Sequence, residues 1–236
     1  MKKTVLFDLD GTLLPMDQDL FVKAYFGRFA QKLAPYGYES ETLIKAIWAG
    51  IDAMVQNDGS RTNEEVFWEN FCAVMGRDCR KDEPLFTEYY ENEFQQVEAV
   101  CGRNAAAAET IALCKDLGAE VVLATNPLFP TIATESRIRW AGLQREDFRF
   151  VTTYENSRYC KPNPAYYSEI LEKLGLRAED CLMVGNDAVE DLAAAQLGIP
   201  VFLLTDCLIN KNGVALEELP HGGFNELQEW LREELQ

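Results

Sequence analysis

The sequence predicts an α/β protein: a doubly wound parallel sheet with a block of helices inserted after its first strand. Three observations lead there. Short apolar runs of strand length alternate with helical patterns through the second half of the chain. The segment 16–98 contains no strand-like run at all. A pair of carboxylates, Asp8 and Asp10, stands where the first apolar run meets a glycine, Gly11. At 236 residues the chain is long enough for one large domain or two smaller ones.

The elements follow in order. Thr4-Val5-Leu6-Phe7 opens a buried strand over 4–9. The segment 16–98 reads as four helices, roughly 18–35, 40–56, 63–75 and 83–98. Aromatic residues recur along it at helical spacing, from Phe21 and Tyr25 to Tyr90 and Phe94, as expected for the core of a small bundle. From residue 99 the pattern changes. Strands are expected at 120–125, 149–153, 181–185 and 200–205, and helices at 104–118, 129–141, 163–175 and 188–198. Each of these helices ends near a glycine (Gly118, Gly142, Gly175, Gly198), the residue favoured just past a helix C-terminus. Ala105–Ala108 is ordinary helix-forming sequence, and 224–236 reads as an amphipathic terminal helix. Alternating strands and helices imply a parallel sheet covered on both faces. The expected division is a core of 1–15 and 99–236 with a helical unit of 16–98.

Composition narrows the function. A formal charge of −17 disfavours nucleic-acid binding through a basic surface. It also repels anionic substrates at long range, so a phosphate-handling site would need local cations. Seven cysteines, at 72, 79, 101, 114, 160, 181 and 207, form no C-x-x-C pair. That pattern fits reduced thiols in a cytoplasmic protein. Met1-Lys2-Lys3 runs directly into the first strand and leaves no room for a signal peptide, and no apolar run reaches the ~18–20 residues of a membrane span. A monomer, or at most a weak dimer, is expected.

The chemistry is concentrated in four places. On an extended chain, residues i and i+2 share a face, and the Gly turn lets Asp8 and Asp10 converge at the strand's carboxyl end. Burying two acids there is costly unless a cation compensates. Asp8 is the candidate nucleophile, able to attack phosphorus and form an acyl-phosphate. Asp10 is the candidate general acid/base, with its backbone carbonyl on the metal. Two anions must approach each other, so a divalent cation is required, and Mg²⁺ suits oxygen ligands. Thr125 and Asn126, after Val121-Val122-Leu123-Ala124, offer a hydroxyl and a donor to phosphoryl oxygens. Lys161, in Lys161-Pro162-Asn163-Pro164, can neutralise nucleophile and phosphoryl group together. Gly185-Asn186-Asp187-Ala188-Val189-Glu190-Asp191 follows a further strand and offers metal ligands. Asp187 is the expected ligand because a carboxylate compensates charge best, and Asn186 is the alternative through its amide oxygen. Asp187 and Asp191 also fit N-capping and first-turn acidity of a following helix, and both readings can hold together.

The run Asp8-Leu9-Asp10-Gly11-Thr12 resembles the first motif of the haloacid dehalogenase-like superfamily, whose phosphatases carry Asp-x-Asp-Gly-Thr. Thr125, Lys161-Pro162-x-Pro164 and the 185–191 run resemble its other three motifs in the same order, with Asn186 where the first acid of the fourth motif usually stands. The resemblance implies a Rossmann-like core, a helical cap at 16–98 and a Mg²⁺-dependent phosphatase acting on a small phosphorylated metabolite through an aspartyl-phosphate. It assigns Asp8 and Asp10 the roles above. Dehalogenases and phosphonate hydrolases of this fold lack the acid at the Asp10 position. Arg61, in the 57–63 loop, and Arg28 are the cap cations that could reach a substrate. A phosphotransferase or phosphomutase on sugar phosphates shares the motifs, but the relevant relatives place a His at the cap hinge, whereas this chain has only His221, expected in an ordinary loop. The third reading is a catalytically silent regulatory protein on the same fold.

Overall fold

The computed structural model describes residues 3–236; Met1 and Lys2, on which the reading of a leader-free start rests, lie outside the described residues. Six parallel strands form one sheet: β1 (Thr4–Phe7), β2 (Glu120–Leu123), β3 (Phe150–Val151), β4 (Cys181–Gly185), β5 (Val201–Leu204) and β6 (His221–Gly222). Their order is β3-β2-β1-β4-β5-β6. The chain builds outward from β1 to β3, then crosses back to lay β4 on the other side of β1. That reversal makes the carboxyl ends of β1 and β4 the crevice where ligands bind in doubly wound sheets.

The strands are continuously apolar because both faces are covered. Val5 and Phe7 of β1 point into one core layer with α5 (Ala105–Asp116), α6 (Thr131–Trp140) and α8 (Phe224–Glu234). Leu6 points into the other, against Tyr166, Tyr167 and Ile170 of α7 (Pro164–Leu174). This is the alternation that a period of two requires.

The helical insert holds α1 (Gln18–Leu33), α2 (Ser40–Val55), α3 (Asn63–Met75) and α4 (Glu83–Glu91). Its aromatic side chains pack edge-on and stacked, as with Phe29, edge-on to Phe86 at 5.1 Å and stacked on Tyr25 at 5.6 Å between ring centroids. The chain leaves the sheet through Pro15 and Met16 and returns through Cys101 and Gly102. Those two passages are pinned side by side by a bridge between Met16 and Cys101 and a 2.6 Å bond from Gly102 N to the Pro15 carbonyl. At the opposite edge, α3 docks on the core: Asn63 N and Glu64 N donate to the carbonyls of Ser157 and Tyr154.

Three elements differ from expectation. The helix expected over 83–98 stops at Glu91, and a 3-10 segment, Glu93–Val100, follows. Asn92 bonds its own side chain to the Glu88 carbonyl and breaks the helical register, which turns Phe94 into the core against Trp140. The helix expected over 188–198 is only a 3-10 segment, Leu192–Leu197, because the Asp191 side chain folds back onto the preceding backbone. His221 lies in β6, a two-residue edge strand, and not in a loop. The glycine stops hold: Gly118, Gly142, Gly175 and Gly198 all have positive φ. All seven cysteines are free, and no described helix is long and apolar enough to cross a membrane.

Candidate active site

The four sequence motifs meet at the carboxyl ends of β1, β2 and β4. Asp8 directly follows β1, and its N–H donates to the Val184 carbonyl of β4. The chain then turns tightly at Gly11, which has φ +85°. A Cβ at that position would lie 2.3 Å from the Asn186 amide nitrogen, so the turn requires glycine both for its left-handed backbone and for room. Thr12, next in the turn, places its hydroxyl 3.2 Å from Asp8 Oδ2 and 3.0 Å from Asn186 Oδ1. One proton serves these two acceptors, so the hydroxyl links the ends of β1 and β4.

Lys161 is the electrostatic hub. Its ammonium, buried, donates to Asp8 Oδ1 at 2.9 Å and to Asp191 Oδ1 at 2.7 Å. Asp191 Oδ2 accepts from the N–H groups of Asn186 and Asp187, both at 2.9 Å. Gly185 permits that approach: a Cβ there would stand 2.0 Å from Asp191 Oδ2. Lys161 reaches the site because Asn163 caps α7 and Pro164 begins it, which sets the entry of the chain into the helix. The Asn126 side chain joins three motifs: Oδ1 accepts from Lys161 N, and Nδ2 donates to Glu190 Oε2 at 3.0 Å. The Thr125 carbonyl accepts from Thr152 Oγ1 at 2.7 Å and from Tyr166 Oη at 2.9 Å, which fixes the exit from β2.

Asp10 has a partner that the sequence reading missed. Arg137 of α6 is wholly buried and pairs with Asp10 Oδ2. Its guanidinium also lies over the Phe129 ring at 4.3 Å and reaches Thr134 Oγ1 at 3.3 Å. Asp10 Oδ1 is buried with no protein partner. An arginine in the last turn of a helix ordinarily reads as an exposed cation that answers the helix dipole. The available signal was spacing: Ala133, Arg137 and Ala141 recur at i, i+4 and i+8, placing Arg137 on the buried stripe of α6. Glu190, given no role in the sequence analysis, also reaches the site, where it accepts from Asn126 Nδ2 and lines the cavity.

Burial dominates the ionisation of the acids. Burial pushes the Asp8 carboxyl up to about 7 against the pull of Lys161, with Asp191 and Asp10 adding to the rise. It raises Asp10 too, opposed by Arg137 and Lys161. It raises Glu190 to about 8. The carboxyl groups of Asp8, Asp10, Asp187, Glu190 and Asp191 outnumber the two cations that face them, Lys161 and Arg137, before any phosphate arrives.

Other expected residues fall in different places. Asn186 enters the Asp8 network through Thr12, whereas Asp187 Oδ1 accepts from the N–H groups of Val189 and Glu190 and so caps the following turn. Asp187 nonetheless lines the same cavity as Asp8 and Asn186. Arg61 is not brought to the site: it pairs with Glu69 on the surface. Arg28 bonds Gln96, also away from the cavity. Among the described residues no three His, Cys, Asp or Glu side chains form a ready metal cluster. A cation at this site would rest on mixed oxygens from carboxylate, amide and backbone.

Comparison with known proteins agrees with this geometry. The haloacid dehalogenase-like hydrolase family matches residues 2–198. A phosphoglycolate phosphatase from Pectobacterium atrosepticum is 31% identical over 193 residues, covering 80% of this chain and 74% of its own length. The haloacid dehalogenase-like hydrolase domain-containing protein 3 of Danio rerio is 27% identical over 212 residues, covering 85% of this chain and 84% of its own. Among solved structures, a 2-haloacid dehalogenase from Pseudomonas syringae superposes with a TM-score of 0.62 at 21% identity, covering 99% of both chains. A phosphatase of the same superfamily from Thermococcus onnurineus gives 0.59 at 20% identity over 98% of each, and at these identities both show the shared fold. With Asp8, Asp10, Thr125 and Lys161 in sequence order around the ends of the central strands, the chain belongs to the haloacid dehalogenase-like hydrolase family, as a phosphatase-type member.

Proposed function

We propose that the protein is a Mg²⁺-dependent phosphatase that hydrolyses a small phosphorylated metabolite through an aspartyl-phosphate on Asp8. The observation that carries this reading is the arrangement of Asp8: a carboxylate at the end of the central strand, 2.9 Å from the Lys161 ammonium, with a second acid two residues on. The site is suited to an oxygen-preferring cation. Its acids outnumber its cations, a buried Asp10 oxygen has no protein partner, and burial pushes the Asp8 carboxyl up to about 7, so a cation beside it would favour the ionised form. Asp8, the Asp10 backbone carbonyl and Asn186 or Asp187 would hold Mg²⁺. When bound, the cation offsets the charge of nucleophile and phosphoryl group and so lets the two anions meet.

The chain's own residues do the rest. Lys161, Thr125 and Asn126 hold the phosphoryl oxygens. An Asp8 oxygen forms a bond to phosphorus as the ester P–O bond breaks. The departing alkoxide takes a proton from Asp10 and leaves as the alcohol. Asp10, now ionised, removes a proton from water while the water oxygen attacks phosphorus, which releases phosphate and restores the Asp8 carboxylate. Burial helps Asp10 hold its proton at first, and Arg137 favours the ionised form that the second step needs. The helices of 16–98 act as a cap that excludes water, over a core of 1–15 and 99–236. His221, exposed on the edge strand, does not line the cavity, which weighs against a mutase.

The test is phosphate release from a panel of phosphate esters with Mg²⁺ and with EDTA, for the native protein and for Asp8→Asn. Turnover is expected only for the native protein with metal. Normal activity of Asp8→Asn would overturn the mechanism.

A further inference from the structure

The cavity above Asp8 and Asp10 is larger and more apolar than a phosphate needs. It measures about 730 Å³ and continues into the helical insert. Pockets of roughly 300–1,000 Å³ bury drug-sized ligands. Each of the four insert helices contributes rings to its wall: Phe21 and Tyr25 from α1, Trp48 from α2, Phe67 from α3, Phe86 and Tyr90 from α4. A bundle core would close such a space, because protein interiors hold few voids larger than a water molecule. The rings therefore line a chamber as well as packing the bundle.

The charges on the wall are as informative as the rings. Among the described residues, the one lysine lining the cavity is Lys211, from the core, and no arginine lines it. Glu83 from the insert and Glu135 and Glu155 from the core line it. A substrate with a second acid group would meet these carboxylates with no cation from the insert to answer it. The polar feature among the rings is a hydroxyl pair, Tyr25 and Tyr90, 2.9 Å apart. Burial pushes the Tyr25 hydroxyl up to about 12 and holds Tyr90 well above the usual phenol range, so both stay neutral and can exchange hydrogen bonds with a neutral polar group. Trp48 is 44% exposed and sits edge-on against Phe26 at 5.4 Å, a ring at the mouth of the chamber.

We propose that the substrate is a phosphomonoester of a neutral, aromatic-ring-bearing alcohol, with its ring held by the insert's aromatic wall. This rests on the phosphatase reading above and adds the class of leaving group. It separates the chain from relatives named for phosphoglycolate, whose carboxylate would meet no cation from the insert on this wall.

The test compares 1-naphthyl phosphate with phosphoglycolate and pyrophosphate. Phosphate release is measured with Mg²⁺, and binding is measured separately by calorimetry on Asp8→Asn. The expected result is a kcat/KM for 1-naphthyl phosphate about a hundredfold above that for phosphoglycolate, with binding in the same order. Trp48→Ala, truncated at a partly exposed position, is expected to raise the KM for 1-naphthyl phosphate roughly three- to tenfold with kcat little changed, since an aromatic contact is worth ~0.5–1.5 kcal/mol. Equal or preferred hydrolysis of phosphoglycolate or pyrophosphate would overturn the proposal and leave the phosphatase standing. Tight, ring-selective binding with no release from any compound would support the ligand class and overturn the phosphatase. Binding without preference for the ring would overturn the proposal whatever the turnover.

Discussion

Replacing Arg137 with methionine tests the least expected feature of the site. Methionine keeps much of the stem and removes the charge. The variant loses the buried ion pair with Asp10, the contact with Thr134 and the stacking on Phe129. Removing one partner of a buried pair costs about 3–5 kcal/mol, and a desolvated cation–π contact is worth ~2 kcal/mol. Asp10 can relieve part of this by taking a proton, and its side chain is 23% exposed, so a net loss of about 2–4 kcal/mol is expected near pH 8. The sign with pH follows from linkage. Asp10 is already raised in the folded protein, so its contribution is greatest at acid pH and is lost as pH rises through its folded value. Without Arg137 that value rises further, so the deficit against the native protein grows from pH 5 to pH 8. In activity, the high-pH limb, where Asp10 must still carry its proton, moves to higher pH. The rate at the optimum falls roughly 10- to 100-fold because Asp10 loses its positioning. Urea unfolding at the two pH values and a phosphate-release profile measure both effects. Asp10→Asn in the Arg137→Met background should add little, with a coupling above about 1 kcal/mol. An unchanged unfolding midpoint at pH 8 together with an unshifted profile would refute the reasoning.

Three further changes have defined outcomes. Lys161→Met leaves Asp8 and Asp191 buried without their shared cation, so thermal unfolding should show a loss of about 3–5 kcal/mol and phosphate release should fall at least roughly a hundredfold. Gly11→Ala forces a side chain into a left-handed turn against Asn186; about 1–3 kcal/mol of stability should be lost, and calorimetry should read weaker Mg²⁺ binding. Glu190→Gln removes a carboxyl that burial raises from 4.5 to about 8. A raised acid stabilises the fold below its unfolded value and loses that contribution as pH climbs through the folded one, so native stability falls between about pH 4.5 and 8. The glutamine variant should be flatter there and gain on the order of 3 kcal/mol relative to native at pH 9; identical slopes would exclude that role for Glu190.

Local signals carried a large part of this protein's description. Apolar runs, glycine stops and acid pairs are properties of neighbouring residues, so strands β1 to β5, most helices, the inserted helical block and the family's motifs were legible in the chain. Misreadings arose where a side chain competes with the backbone. Asn92 ends a helix early, and Asp191 folds back to replace a helix with a short 3-10 turn. Two-residue β6 has too little pattern to be seen and exists because β5 offers it an edge.

The sequence by itself determined which motif residues gather at the candidate site, because Asp8, Asp10, Thr125 and Lys161 each sit at a strand end or beside a helix start that local pattern reveals. Only the tertiary structure decided what surrounds them. Arg137 meets Asp10 from 127 positions away, and Asn186 rather than Asp187 shares the Thr12 hydroxyl with Asp8. The aromatic residues of the insert, legible as a helical stripe, enclose a chamber whose shape depends on how four helices settle over the sheet. Periodicity records which face of a helix is apolar. Whether that face meets another side chain or an open space depends on long-range packing, which no local pattern encodes.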